Sequence, residues 1–230
     1  MGAGSRATTT TLRFALIVTG AAGFLDAYTY LARGGVFANA QTANVVLGAL
    51  DLANGRAGSA LAHLWPILAF VAGVASAAAI KAGRMDNALS HPIRWTMLAQ
   101  AVLLVVVGFL PASWPPGIAT VPIAFVAAMQ FELFRTIGEL PYMAIATTGN
   151  LARLVESGYT ATIERDTASR RNFRIYIGVV GAFIVGAVVG AFATETWGIH
   201  AVWVPAAVLV GTLVLFVVDE RRSRDETARD

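Results

Sequence analysis

From Trp95 to Phe131 the chain runs without one Asp, Glu, Lys or Arg, and Ala57 to Ile80, Ile175 to Thr194 and Thr196 to Val218 do the same. About 20 predominantly apolar residues carry a helix across the hydrocarbon of a bilayer, so these runs restrict the chain to membrane-spanning helices. The longest run holds two spans, because Pro111, Pro115 and Pro116 stand in its middle and proline interrupts a helix. The charged fraction of 13%, against about 25% in soluble domains, agrees. Cysteine is absent, which excludes disulfides and thiolate metal sites. The net charge of +3 comes from arginines clustered at span ends, the pattern of cytoplasmic loops rather than of a nucleic-acid surface.

Six long segments are expected: Leu12 to Leu31, Leu61 to Ile80, Trp95 to Leu110, Ile118 to Gly138, Ile175 to Ala193 and Trp197 to Val218. Small residues recur every fourth position at Thr19, Gly23 and Ala27, at Ala69, Gly73 and Ala77, and at Gly178, Ala182, Gly186 and Gly190. That spacing gives a helix face on which another backbone can come close. Two shorter helices are expected at Thr42 to Ala53 and Thr148 to Ser157, each after a Gly- or Pro-containing break. The first reaches roughly 18 Å at about 1.5 Å per residue, too short to cross alone.

Charge decides how the segments are threaded. If the short helices are re-entrant, six segments cross, and the N-terminus, the loops Lys81 to Arg94 and Gly158 to Arg174, and the Arg-rich tail all face one side. Pro111 to Gly117 and Thr194 to Gly198, which hold no Lys or Arg, face the other. The positive-inside rule selects this arrangement over eight crossings and puts both termini in the cytoplasm. No small-residue cleavage site follows a short apolar core, so no removed signal peptide is expected.

The chain also repeats itself. Gln41-Thr42-Ala43-Asn44 returns as Thr147-Thr148-Gly149-Asn150, and the same offset pairs Asp26 with Glu132. Three crossings per half make the halves inverted relative to each other, a recurring plan of secondary transporters. The expected organisation is a tail 1–11, a first repeat 12–110, a second, inverted repeat 118–218 and a charged tail 219–230.

At Gly23-Phe24-Leu25-Asp26-Ala27 through Leu31, continued by Gly35-Val36-Phe37 to Gln41-Thr42-Ala43-Asn44, the chain resembles the YoaK family of bacterial inner-membrane proteins. That family's pattern is roughly Gly-x-x-Asp-Ala-x-x-x-Leu, then Gly-x-Phe-x-x-x-Met-Thr-Gly-Asn. Gln41 and Ala43 replace the usual Met and Gly, while Thr148-Gly149-Asn150 keeps the pattern. The resemblance implies a polytopic inner-membrane protein and supplies no substrate.

Two constellations carry the functional expectation. The starts of the short helices offer unpaired N–H groups and about half a positive charge each, suited to an anion or a carboxylate-bearing solute. Gln41, Thr42, Asn44, Thr147, Thr148 and Asn150 would supply its polar contacts. The competing reading makes Thr42 and Thr148 helix N-caps and has the asparagines tie down the breaks. Asp26 and Glu132 are carboxylates inside apolar helices, a costly placement that commonly marks a functional site, and are the candidates for proton coupling. Glu132 has Arg135 three positions on and could equally be an ion pair; Arg33 or a residue across the bundle could pair with Asp26. His63, His91 and His200 are not spaced as metal ligands, and Trp65, Trp95, Trp114, Trp197 and Trp203 suit membrane interfaces. Tyr28, Tyr30, Phe37 and Tyr142 are expected to pack.

The expectation is an all-α polytopic inner-membrane protein with six transmembrane helices and two re-entrant half-helices in a 3+3 inverted repeat. It would carry a small molecule or ion, perform no enzyme reaction, use no cofactor or metal and bind no nucleic acid; a homo-oligomer is left open. A passive channel and a non-transporting scaffold are the alternatives.

Overall fold

The computed structural model describes residues 11–84 and 92–227. The expected N-terminal tail lies almost wholly outside them, as does His91. Helices make up nearly all of the fold: α1 (Leu12–Ala32), α2 (Gln41–Ala53), α3 (Ala57–Lys81), α4 (Pro92–Val107), α5 (Gly117–Leu133), α6 (Thr147–Ile163), α7 (Thr167–Trp197) and α8 (Trp203–Thr227). A two-stranded hairpin, β1 (Thr136–Ile137) and β2 (Leu140–Pro141), lies between α5 and α6, and a 3-10 turn, Gly198–Val202, joins α7 to α8. Leu12–Ala32, Ala57–Lys81 and the stretch Thr167–Val218 are long and apolar enough to cross a membrane; Ile93–Val107 and Gly117–Leu133 are shorter apolar helices. The chain is an all-α membrane protein.

α1 begins at Thr11, whose hydroxyl accepts from Phe14 N–H at 3.3 Å. It is buried on most of its circumference, which explains its lack of a polar face. Its main partner is α7, and the small-residue stripes make the contact. Gly186 lies on the carbonyl of Gly20, and Gly23 lies on that of Phe183. A Cβ on Gly190 would stand 2.7 Å from Phe24 Cα. α3 packs on α5 in the same manner, with Gly73 against Phe125 O and the Ala128 methyl. Lipid tails are as apolar as leucine, so close packing of this kind, not hydrophobic exclusion, holds such helices together. α2 rests on α3, α6 on α7 and α4 on α8.

The core has two levels along α1. Phe14, Val18, Met97, Phe134, Tyr176 and Phe216 form one; Phe24, Leu25, Tyr28, Leu104, Ile123 and Leu209 form the other. The outward faces are apolar, as at Val71, Val106, Phe109, Val185 and Phe192, which is the surface a protein offers to lipid.

Several boundaries differ from the sequence expectation. α2 and α6 each start one residue earlier, at Gln41 and Thr147, and α6 runs past Ser157 to Ile163. Gly158 lies inside α6 and lets Phe173 of α7 come close, 2.8 Å from where a Cβ would sit. The helix instead ends before Arg165, which has φ 57°. Asp166 then caps α7, accepting from Ala168 and Ser169 N–H. α8 continues helically to Thr227, through most of the tail expected at 219–230.

Candidate functional site

After α1 the chain turns through Gly34 (φ 83°) and Gly35 (φ 74°), a left-handed pair that reverses it sharply. Residues 33–40 then run back beside α1. The Asn39 amide donates to Ala22 O at 2.8 Å, and Asn39 N–H donates to Asp26 Oδ1 at 2.8 Å. Thr29 Oγ1 accepts from Ala38 N–H at 3.1 Å. α2 therefore starts near the middle of α1 rather than beyond its end.

Asn44 closes this break. Its Oδ1 accepts from Phe37 N–H at 3.0 Å, and its Nδ2 donates to Phe37 O at 2.8 Å and to Gln41 Oε1 at 3.0 Å. Asn150 does the same to Met143, accepting at 3.0 Å and donating at 2.7 Å. Both pairs are seven residues apart. The two asparagines are almost wholly buried, and each side chain pairs with both the N–H and the C=O of one residue, as a neighbouring β-strand would. The reading in which the asparagines tie down the breaks is the one realised.

Thr42 and Thr148 are not N-caps. Ala40 and Ala146 hold those positions, and no side chain caps either helix. The one-residue earlier start leaves both threonines exposed in the first turn. Gln41 is drawn to Asn44, whereas the Thr147 hydroxyl is buried without a hydrogen-bond partner. α2 and α6 pack on different helices, α3 and α7.

The two carboxylates have different surroundings. Asp26 is 7% exposed and faces the backbone N–H groups of Ala38, Asn39 and Ala40. An acidic side chain of α1 thus already lies at the entrance to α2, where the positive end of the helix dipole favours it. Arg33 does not pair with Asp26. It is buried, donates to Tyr28 Oη at 2.8 Å, Val107 O at 2.9 Å and Leu110 O at 3.0 Å, and so ties the end of α1 to the last residue of α4 and the turn after it. Glu132 holds Lys81 Nζ at 3.0 Å and Arg135 at 3.0 Å, an ion-pair arrangement.

Of the remaining candidates, Tyr28 and Tyr142 are buried in the core, and Tyr30 stacks on Phe37 at 4.9 Å. The tryptophans are 37–56% exposed, as interfacial residues are. His63, expected at an interface, is instead buried between α2 and α3, with Nε2 3.6 Å from Asp51 Oδ2. His200 contacts Gly108 O at 3.1 Å. No group of three potential metal ligands occurs among the described residues.

The family model described as protein of unknown function (DUF1275) matches residues 14–215. The chain belongs to the DUF1275 family. A DUF1275-like relative, the UPF0700 transmembrane protein YoaK of Bacillus subtilis (strain 168), is 25% identical over 199 residues, covering 84% of this chain and 88% of that protein. No solved structure matches. The DUF1275 match takes in α1 through most of α8, so both asparagine clamps and both carboxylates fall inside the family region. Sequence reasoning singled out all four, weighed Arg33 only as a partner of Asp26, and did not single out Asn39. Their only signal was a polar residue beside a Gly-Gly turn in an otherwise apolar stretch.

Proposed function

We propose that the chain is a small-solute transporter of the inner membrane, built as an inverted repeat with both termini cytoplasmic. The observation that carries this reading is the pair of equivalent clamps, Asn44 on Phe37 and Asn150 on Met143, each closing a seven-residue return before a short helix. The helix pairing supports it. Exchanging the halves turns the α1–α7 contact into α5–α3 and the α2–α3 contact into α6–α7, and leaves α4–α8 unchanged; all of these contacts occur. Non-helical backbone held in protein at membrane depth is the usual place for a transported solute, and relative motion of two such halves is the usual route to alternating access.

In this reading the breaks re-enter the membrane and the solute lies at the helix starts. The Asn44 and Asn150 amides hold the backbone there, and Gln41 steadies Asn44. The hydroxyls of Thr42, Thr147 and Thr148 are left to meet the solute. The α2 start already has the Asp26 carboxyl beside it, so the α6 start is the more available for its anionic or polar group. Asp26 is the proton-coupling group; Glu132 is held by its two cations.

The test begins with thermal-shift screening of the purified protein against metabolite anions, amino acids, nucleobases and neutral solutes. A hit is then followed into proteoliposomes under an imposed proton gradient. Uphill uptake in the parent, lost in Asp26→Asn with downhill exchange retained, is the expected result. Flux that only dissipates a gradient would make the protein a channel. Absence of any flux from well-folded protein with a bound hit would leave a scaffold.

A further inference from the structure

A cavity lies apart from the breaks. It has a volume of about 840 Å³ and is walled by Thr11 and Leu12 at the start of α1, by the Ile137 to Leu140 hairpin tip and by Arg171, Asn172, Arg174 and Ile175 of α7. Arg171 and Arg174 are one helical turn apart and share a face. Some arginines of the fold are engaged, Arg33 with carbonyls, Arg56 with Asp51 and Arg135 with Glu132. Arg171 and Arg174 have neither an ion pair nor a hydrogen bond with any described residue.

We propose that this cavity binds a phosphate group, presented either by a lipid headgroup or by a soluble phosphodiester. Two guanidinium groups on one face match phosphate oxygens with paired N–H donors. The first turn of α1 adds the positive end of a helix dipole, and the Asn172 amide adds a polar group. Glu139 lines the same cavity and opposes a second negative charge, so a singly charged phosphodiester suits it better than a doubly charged monoester. The cavity is on the arginine-rich side of the bundle, where basic pockets between helices meet anionic headgroups. Its occupation does not depend on whether the chain transports a solute.

The experiment uses the full chain purified in detergent and phosphate-free buffer. One arm titrates glycerophosphoglycerol by thermal shift, with inorganic phosphate alongside. The other adds phosphatidylglycerol, or a phosphate-free glycolipid, and reads retained lipid by native mass spectrometry. Variants are R171Q/R174Q, R171K/R174K and, outside the cavity, R170Q; each is first checked for a parental gel-filtration profile, and R174Q alone replaces the pair if that fails. The glutamine pair should weaken binding about tenfold or more, the lysine pair less, and R170Q should match the parent. Binding of the soluble diester would identify a soluble ligand; selective retention of phosphatidylglycerol alone would identify a lipid headgroup. Binding of neither, or binding unchanged in the glutamine pair, overturns the proposal.

Discussion

Replacing Asn44 by alanine removes one side chain and leaves two backbone groups without partners, the N–H and the C=O of Phe37. Each loss costs about 1–3 kcal/mol where water does not replace the bond, so Asn44→Ala is expected to destabilise the protein by about 3 kcal/mol. Asn150→Ala strands the same two groups of Met143 and should cost about as much, slightly less because it loses no partner like Gln41. Asn44→Asp should be worse than alanine, since it sets a carboxylate oxygen against the Phe37 carbonyl. The assay is thermal unfolding of the purified protein without ligand. At about 2–4 °C per kcal/mol for a chain of this size, each alanine variant should lose roughly 6–12 °C. A residue whose work is to hold a solute would leave this ligand-free stability unchanged. An Asn44→Ala protein that unfolds with the parent would therefore refute the clamp, and a several-fold difference between the two variants would refute their equivalence.

Gly186→Ala should destabilise by about 1–3 kcal/mol through overpacking, because its methyl would meet the Gly20 carbonyl; Gly181→Ala, with open space beside it, should unfold with the parent. Arg33→Met frees the Val107 and Leu110 carbonyls and the Tyr28 hydroxyl. It should lower stability by about 3 kcal/mol, with Arg33→Lys recovering only part because a lysine cannot spread its donors over the same fork. Asp166 accepts hydrogen bonds from Ser169 and Ala168, and this holds its carboxyl below the ordinary 3.8. Its contribution is therefore present above that value and lost as the pH falls through the lowered pKa. The thermal-stability gap between parent and Asp166→Ala should be open at neutral pH and close in stronger acid.

The helices and the places where they break were legible in the sequence because both depend on local signals. Charge-free runs set the spans, Gly34-Gly35 set the reversal, and the four-residue spacing of small residues correctly marked Gly23, Gly73, Gly186 and Gly190 as contact points. The polar partners were less legible, since a hydrogen bond across the fold leaves no trace in spacing. Thr42 has the residue type of a cap, yet the helix start was moved by Asn44, whose bonds reach back seven residues. His63 lies near the end of an apolar run and still became buried, because α2 folds over it. Arg33 follows α1 directly, and only the fold reveals that it serves α4.

The two halves agree where the backbone must be held and disagree where charge is placed. Phe37 and Asn44 keep their counterparts in Met143 and Asn150, but the position corresponding to Asn39 is Ile145, a buried core residue. Without a polar residue there, the second break has no equivalent of the Asn39 bridge to α1. Glu132, one turn from Arg135 and across from Lys81, takes the partners that are near. Among the described residues, Asp26 faces backbone N–H groups and no cation. Its hydrogen bonds rest on the geometry of the 33–40 return alone, and any movement of that return against α1 would withdraw those donors. Asp26 is thus tied to the position of α2, whereas Glu132 is tied only to a salt bridge at a helix end.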